Sequence, residues 1–115
     1  MKEVDNILRI FQETKEAVSK GDYIKIKNLS DQTNNTASLT NDPDNIAVAV
    51  IVYSLSKIIE RENYKKLPGW KSFYNNYMNN IDYIVSALKK KDEKTARKYL
   101  ETIRKSIEKV SGRLK

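Results

Sequence analysis

Residues 46–55 read IAVAVIVYSL, the most apolar run in the chain. The run is compatible with a buried strand, but helix-forming sequence continues through Arg61, and a segment of this length favours a helix buried on most sides. Asp42 and Pro43 mark its start, because aspartate caps a helix and proline fits the first helical turn. We therefore predict a central apolar helix over residues 43–63. The run is shorter than the ~20 apolar residues that cross a bilayer, so we expect no membrane span.

A helical hairpin is predicted on each side of the central helix. Gly21-Asp22 can close one helix and cap the next, which indicates a hairpin over roughly residues 2–40. After a Pro68-Gly69 turn, apolar side chains at three- and four-residue steps indicate a second hairpin over residues 70–114. The chain has 115 residues, with only three glycines and two prolines. We predict an all-α fold, a single-domain up-and-down bundle of about five helices over residues 1–115.

The sequence contains neither cysteine nor histidine. The first absence excludes disulfides, thiolate metal sites and cysteine nucleophiles. The second excludes ordinary zinc sites and acid-base catalysis by imidazole. The three glycines are far apart, so no glycine-rich loop cradles a phosphate. We therefore expect a protein that is not an enzyme and that binds no cofactor and no metal.

Charge is distributed unevenly along the chain. Residues 1–60 hold seven Lys or Arg against nine Asp or Glu, and residues 61–115 hold fifteen against six, so the net charge of +7 is −2 followed by +9. A basic surface of this kind attracts phosphates, acidic proteins or anionic membranes. The side chains predicted to contact a partner are Lys89, Lys90, Lys91, Lys94, Arg97, Lys98, Arg104 and Lys105, with Lys109 on the same face. The alternative is a solvated helix face, since Glu93, Glu101 and Glu108 interrupt it.

An aromatic and asparagine-rich stretch, residues 70–83, precedes these lysines. Aromatic rings on a basic helix can stack on unpaired bases, and amides can read base edges. Most rings of the stretch fall on its apolar stripe and are predicted to be core, which leaves Tyr74 and Tyr83 as candidate contacts. Tyr99 falls on the apolar stripe of the last helix and is predicted to belong to the core.

A polar segment, residues 30–38, is the other candidate site. Asp31, Gln32 and Asn35 would project from the second helix, and small residues nearby would allow the central helix to approach closely. With Tyr53 of the central helix they could line a pocket for a polar ligand. The alternative is a solvated helix face combined with tight helix packing.

Residues 30–58 resemble a family of short uncharacterised archaeal α-helical proteins. The likeness lies in SDQTNNTASL at residues 30–39, followed by DNIAVAV at 44–50 and YSLSKI at 53–58. Members of that family often carry histidines at the positions of Gln32 and Asn35, which this chain lacks. The resemblance therefore implies an archaeal source and no activity.

These features predict a non-enzymatic interaction module that docks to a macromolecular partner through the basic face of its last two helices. Two alternatives remain open: an RNA- or ribosome-associated accessory protein, and a small-ligand sensor or degenerate enzyme that uses the polar face of the second helix. The expected partner is an unidentified protein or RNA, and a homo-oligomer is a further alternative. The charged N-terminus shows no export signal, so we expect a cytoplasmic protein.

Overall fold

The structure is a computed structural model that describes residues 3–112. Within that range the chain forms five α-helices and no strand, which confirms the predicted all-α bundle. The helices are α1 (Val4–Lys20), α2 (Tyr23–Thr40), α3 (Pro43–Ile59), α4 (Trp70–Lys89) and α5 (Glu93–Gly112). A short 3₁₀ turn, Tyr64–Lys66, lies between α3 and α4. The predicted outer ends of the two hairpins, residues 2 and 114, lie outside the described residues.

Three aspartates and one glycine set the helix boundaries, as the sequence predicts. Asp22, Asp42 and Asp92 precede α2, α3 and α5, and each accepts a hydrogen bond from the backbone N–H three residues later, at 3.1–3.2 Å. This bond satisfies an amide that has no partner within the helix. Gly21 ends α1 with a φ of 66°, in the left-handed region that glycine adopts without strain.

α3 ends at Ile59, four residues earlier than predicted. The next four residues are polar and exposed, so they offer no apolar face to continue the helix. The chain instead turns back and buries Tyr64, whose ring packs edge-on against Trp70 with centroids 5.1 Å apart. Its hydroxyl lies close to Gly21, so this loop packs against the turn between α1 and α2.

The order of the helices around the bundle differs from chain order at one place. α2, α3, α5, α4 and α1 follow one another, and α1 completes the ring by packing on α2. α5 thus lies beside α3, and the loop of residues 60–69 carries the chain past it to α4. The α4–α5 hairpin therefore forms one continuous side of the bundle, with the shared core beneath it at Ile81, Ile84 and Ile103.

Candidate functional site

Arg97, the first arginine of the predicted basic face, is held by an ion pair within the protein. Its Nε lies 3.2 Å from each carboxylate oxygen of Asp44, and its Nη2 lies 3.1 Å from Oδ2. Glu93 is a second, more distant partner at 3.7 Å. The hydrogen bonds to Asp44 raise the pKa of Arg97 above its ordinary value. The pair connects the second turn of α5 to the first turn of α3.

Arg104, the second arginine of that face, is also paired. Its guanidinium donates two hydrogen bonds to Glu101 and a third, 2.9 Å long, to Glu108. The hydrogen bond from Arg104 is the main reason that the pKa of the Glu101 carboxyl lies below its usual range. Both predicted arginines thus have their charge balanced by neighbouring carboxylates.

The lysines of α5 have a different environment. Lys94, Lys98, Lys105 and Lys109 lie at steps of four, seven and four residues, on the side of α5 opposite its buried stripe of Ala96, Leu100, Ile103 and Ile107. All four are exposed, and among the described residues none lies within ion-pair distance of a carboxylate. We call these four residues the lysine ridge.

The acidic side chains of α4, α5 and the turn between them all form hydrogen bonds or ion pairs with residues outside the ridge. Asp82 accepts a hydrogen bond from Lys15 of α1, and Asp92 caps α5 by accepting hydrogen bonds from Thr95. The remaining three acids of the hairpin pair with the two arginines, as described above. Within residues 70–112, the four ridge lysines therefore have no ion pair of their own, although Lys105 interacts electrostatically with Glu101, and Lys94 with Asp92.

Three further predicted lysines lie in the turn between α4 and α5. Lys89 ends α4, Lys90 follows it, and Lys91 has a φ of 60°, which reverses the chain toward α5. All three side chains are exposed. The structure thus places Lys94, Lys98 and Lys105 on one face of α5 and places Lys89, Lys90 and Lys91 in the turn before it, where Lys89 and Lys91 border a depression with Asp5 and Glu93. Arg97 and Arg104 are set apart by their ion pairs.

Tyr74, the predicted aromatic contact, lies on a different side of α4. Its ring is half-buried, packs 6.0 Å from that of Trp70, and borders a depression formed with Gln12 and Met78 at the contact between α1 and α4. The structure does not bring Tyr74 together with the lysine ridge.

A second pair of rings does lie beside the ridge. Tyr83 of α4 and Tyr99 of α5 have centroids 5.0 Å apart and an interplanar angle of 39°, and Tyr83 is 52% exposed. Tyr99 directly follows Lys98 of the ridge and is half-buried, packed against the edge of the core. Its position at the edge of the apolar stripe allows this tyrosine to keep its hydroxyl in water.

The residues predicted to line a polar pocket are not gathered into one. Asp31 and Asn35 are exposed on α2, while Gln32 faces α1 and accepts a 3.4 Å hydrogen bond from Arg9. Tyr53 borders a shallow, open groove between α2 and α3 with other residues. The groove is lined by Asn34, Ala37, Ser38, Asn41, Ile46, Ala49, Val50 and Tyr53.

No family model, curated protein or solved structure matches this chain. The resemblance of residues 30–58 to archaeal helical proteins stays a prediction. In the part of the chain that the structure covers, no helix combines the length and apolar character needed to cross a membrane.

Proposed function

We propose that the protein is a non-enzymatic interaction module that binds a polyanionic macromolecule, RNA before an acidic protein, through the lysine ridge and the lysines of the α4–α5 turn. One observation carries this proposal. Among the described residues, the four ridge lysines form no ion pair, while the acids of the same two helices form ion pairs with other residues. The absence of histidine and cysteine from the sequence supports a role in binding.

The dimensions of the ridge suit a phosphate backbone. From Lys94 to Lys109 the helix rises about 22 Å at 1.5 Å per residue. Phosphates along one strand repeat about every 3.4 Å of helix axis, so roughly six of them span the same length. Lysine supplies compact charge without fixed hydrogen-bond geometry, which suits contacts to phosphate that are independent of base sequence.

An acidic protein is the less favoured partner. Protein interfaces gain most of their affinity from buried aromatic or arginine anchors at their centre. The ridge offers lysines, and the two arginines nearest to it are already paired with carboxylates of the protein itself. A long, uniformly charged partner gains more from such a surface than a compact folded one.

The test is binding of the purified protein to a labelled RNA hairpin, followed by fluorescence anisotropy at ~50 and ~200 mM salt. If the four ridge lysines contact phosphates, released counterions should make binding about 100-fold weaker at the higher salt. No measurable binding at the lower salt would refute the proposal.

A matched pair of variants assigns the binding to the ridge. Neutralising Lys94, Lys98, Lys105 and Lys109 to Gln lowers the net charge by four, and so does neutralising the exposed lysines Lys27, Lys57, Lys65 and Lys66, which lie outside the α4–α5 hairpin. The ridge variant should lose most of the affinity and most of the salt dependence, and the control variant should keep both. Equal losses would show that overall charge, and no particular surface, attracts RNA. Circular dichroism checks that both variants stay folded.

A further inference from the structure

Tyr83 of α4 is exposed and contacts the half-buried Tyr99 of α5, whereas the other rings of α4 pack in or against the core. Trp70, Phe73 and Tyr77 of α4 are 2–7% exposed and pack on one another, whereas Tyr83 is 52% exposed. The ring that Tyr83 contacts is the half-buried ring of Tyr99. The two rings lie over the junction between α4 and α5. They form an aromatic surface that water reaches from outside.

The surroundings of this pair are polar. Asp82, the acidic residue directly before Tyr83, accepts a hydrogen bond from Lys15 of α1. Asn79 and Asn76 lie one and two helical turns before Tyr83 on α4, and Thr102 lies one turn after Tyr99 on α5, all exposed. Amide and hydroxyl groups of this kind hydrogen-bond to the edges of unpaired bases. Lys98 of the ridge is the sequence neighbour of Tyr99. One nucleotide could therefore place its phosphate at Lys98 and its base on the tyrosine rings.

We infer that Tyr83 and Tyr99 stack on unpaired bases, so that the polyanion bound by the ridge is a single-stranded nucleic acid. The inference rests on the proposed function, because the lysines supply the attraction that brings the strand to the rings. In a duplex the faces of the bases are covered by their neighbours in the stack, and only an unpaired base offers its face to a side chain.

The experiment compares a labelled single strand of about 12 nucleotides with its duplex, since single-strand sites span ~4–16 nucleotides. The test variant is Y83L/Y99L, which keeps apolar bulk and removes both rings. It should bind the single strand about 5- to 150-fold more weakly, the range that one stacked base contributes. Duplex affinity and salt dependence should stay unchanged, because the lysines remain. An RNA strand and a DNA strand of the same sequence show whether the 2′-hydroxyl matters.

Two controls make the result specific. Y53L removes a tyrosine of similar exposure, 48%, on the α2–α3 side of the bundle and should leave single-strand affinity unchanged. Y83F/Y99F keeps both rings and should bind like the unmodified protein. Y83L alone changes the more exposed position and should still weaken single-strand binding at least fivefold. This single variant replaces Y83L/Y99L in the test if the double variant is poorly folded.

The outcomes separate the two proposals. If the unmodified protein binds neither strand nor duplex at low salt, the proposed function fails and the inference fails with it. If binding is salt-dependent but Y83L/Y99L binds the single strand as tightly as the unmodified protein, the tyrosine inference is overturned and the lysine ridge stands. Equal weakening of single strand and duplex also overturns stacking.

Discussion

Replacing Arg97 by methionine tests whether the link between α3 and α5 stabilises the fold. The substitution keeps a flexible apolar stem and leaves the Asp44 carboxylate, whose side chain is only 11% exposed, without its guanidinium partner. Breaking a fully buried pair costs about 3–5 kcal/mol, and breaking an exposed pair costs about 0.2–1 kcal/mol. Arg97 is 51% exposed, so this pair lies between those limits. We expect a loss of about 1–2 kcal/mol in the free energy of unfolding.

The measurement is urea unfolding of Arg97→Met, Asp44→Asn and the double variant. The two single changes should interact by about 1 kcal/mol, since each removes the same hydrogen bonds. Thermal melting should fall by roughly 4–10 °C for Arg97→Met. A coupling energy below about 0.3 kcal/mol would mean that the two side chains act independently, and the link would be refuted.

The same variant has a second expected result, which concerns binding. Because Arg97 is committed to Asp44, Arg97→Met should leave RNA affinity and salt dependence nearly unchanged. Lys98→Met, one position along the helix, should weaken binding and reduce the salt slope by about 1, the value of one phosphate contact. A larger effect from Arg97→Met than from Lys98→Met would contradict the conclusion that Lys98 contacts the partner while Arg97 is held by Asp44.

Further predictions concern stability. Gly21→Ala should lower the free energy of unfolding by about 1–2 kcal/mol in urea, because φ is positive and the new methyl would lie 2.9 Å from the Tyr64 hydroxyl; an unchanged midpoint would contradict this. Tyr77→Phe should raise it by about 1 kcal/mol, since the buried hydroxyl has no hydrogen-bond partner among the described residues; a loss would show that the hydroxyl is satisfied. The pKa of Glu101 is lowered from 4.5 by Arg104, so its contribution is present above that pH and is lost as pH falls through the folded-state pKa. Melting temperatures of Arg104→Gln should therefore fall less steeply in acid than those of the unmodified protein.

The helices and their ends could be predicted because the signals are local. Each cap involves residues three positions apart, as with Asp22 and the N–H of Lys25, and such a pair is visible in the sequence itself. The end of α3 was predicted too late, although residues 60–63 are polar, because the contact that turns the chain back is distant. Tyr64 packs near Gly21, and no pattern within residues 56–64 reveals that contact.

From the sequence, the candidate site could be predicted only as one face of a helix. Helical spacing placed the lysines and arginines of α5 together, but which of them are free depends on carboxylates that the fold supplies. Asp44 is 53 residues from Arg97 in the chain, so their pairing follows from α3 lying beside α5. The polar segment of α2 shows the same limit. Gln32 faces α1 because α1 packs on that side of α2, which helical spacing alone does not reveal.

The arrangement of charge on α5 argues against an ordinary solvated face. Such a face gains stability by alternating acids and bases at four-residue steps. On α5 the three glutamates pair with the arginines, and Glu101 also precedes Lys105 by four residues. Lys94 and Lys98, and again Lys105 and Lys109, nevertheless repeat like charge at that same step. Each such lysine pair destabilises an exposed helix by about 0.2–0.5 kcal/mol. A bound polyanion would relieve this repulsion and stabilise the fold by mass action, so the feature that weakens the free protein is the one that a phosphate backbone would use.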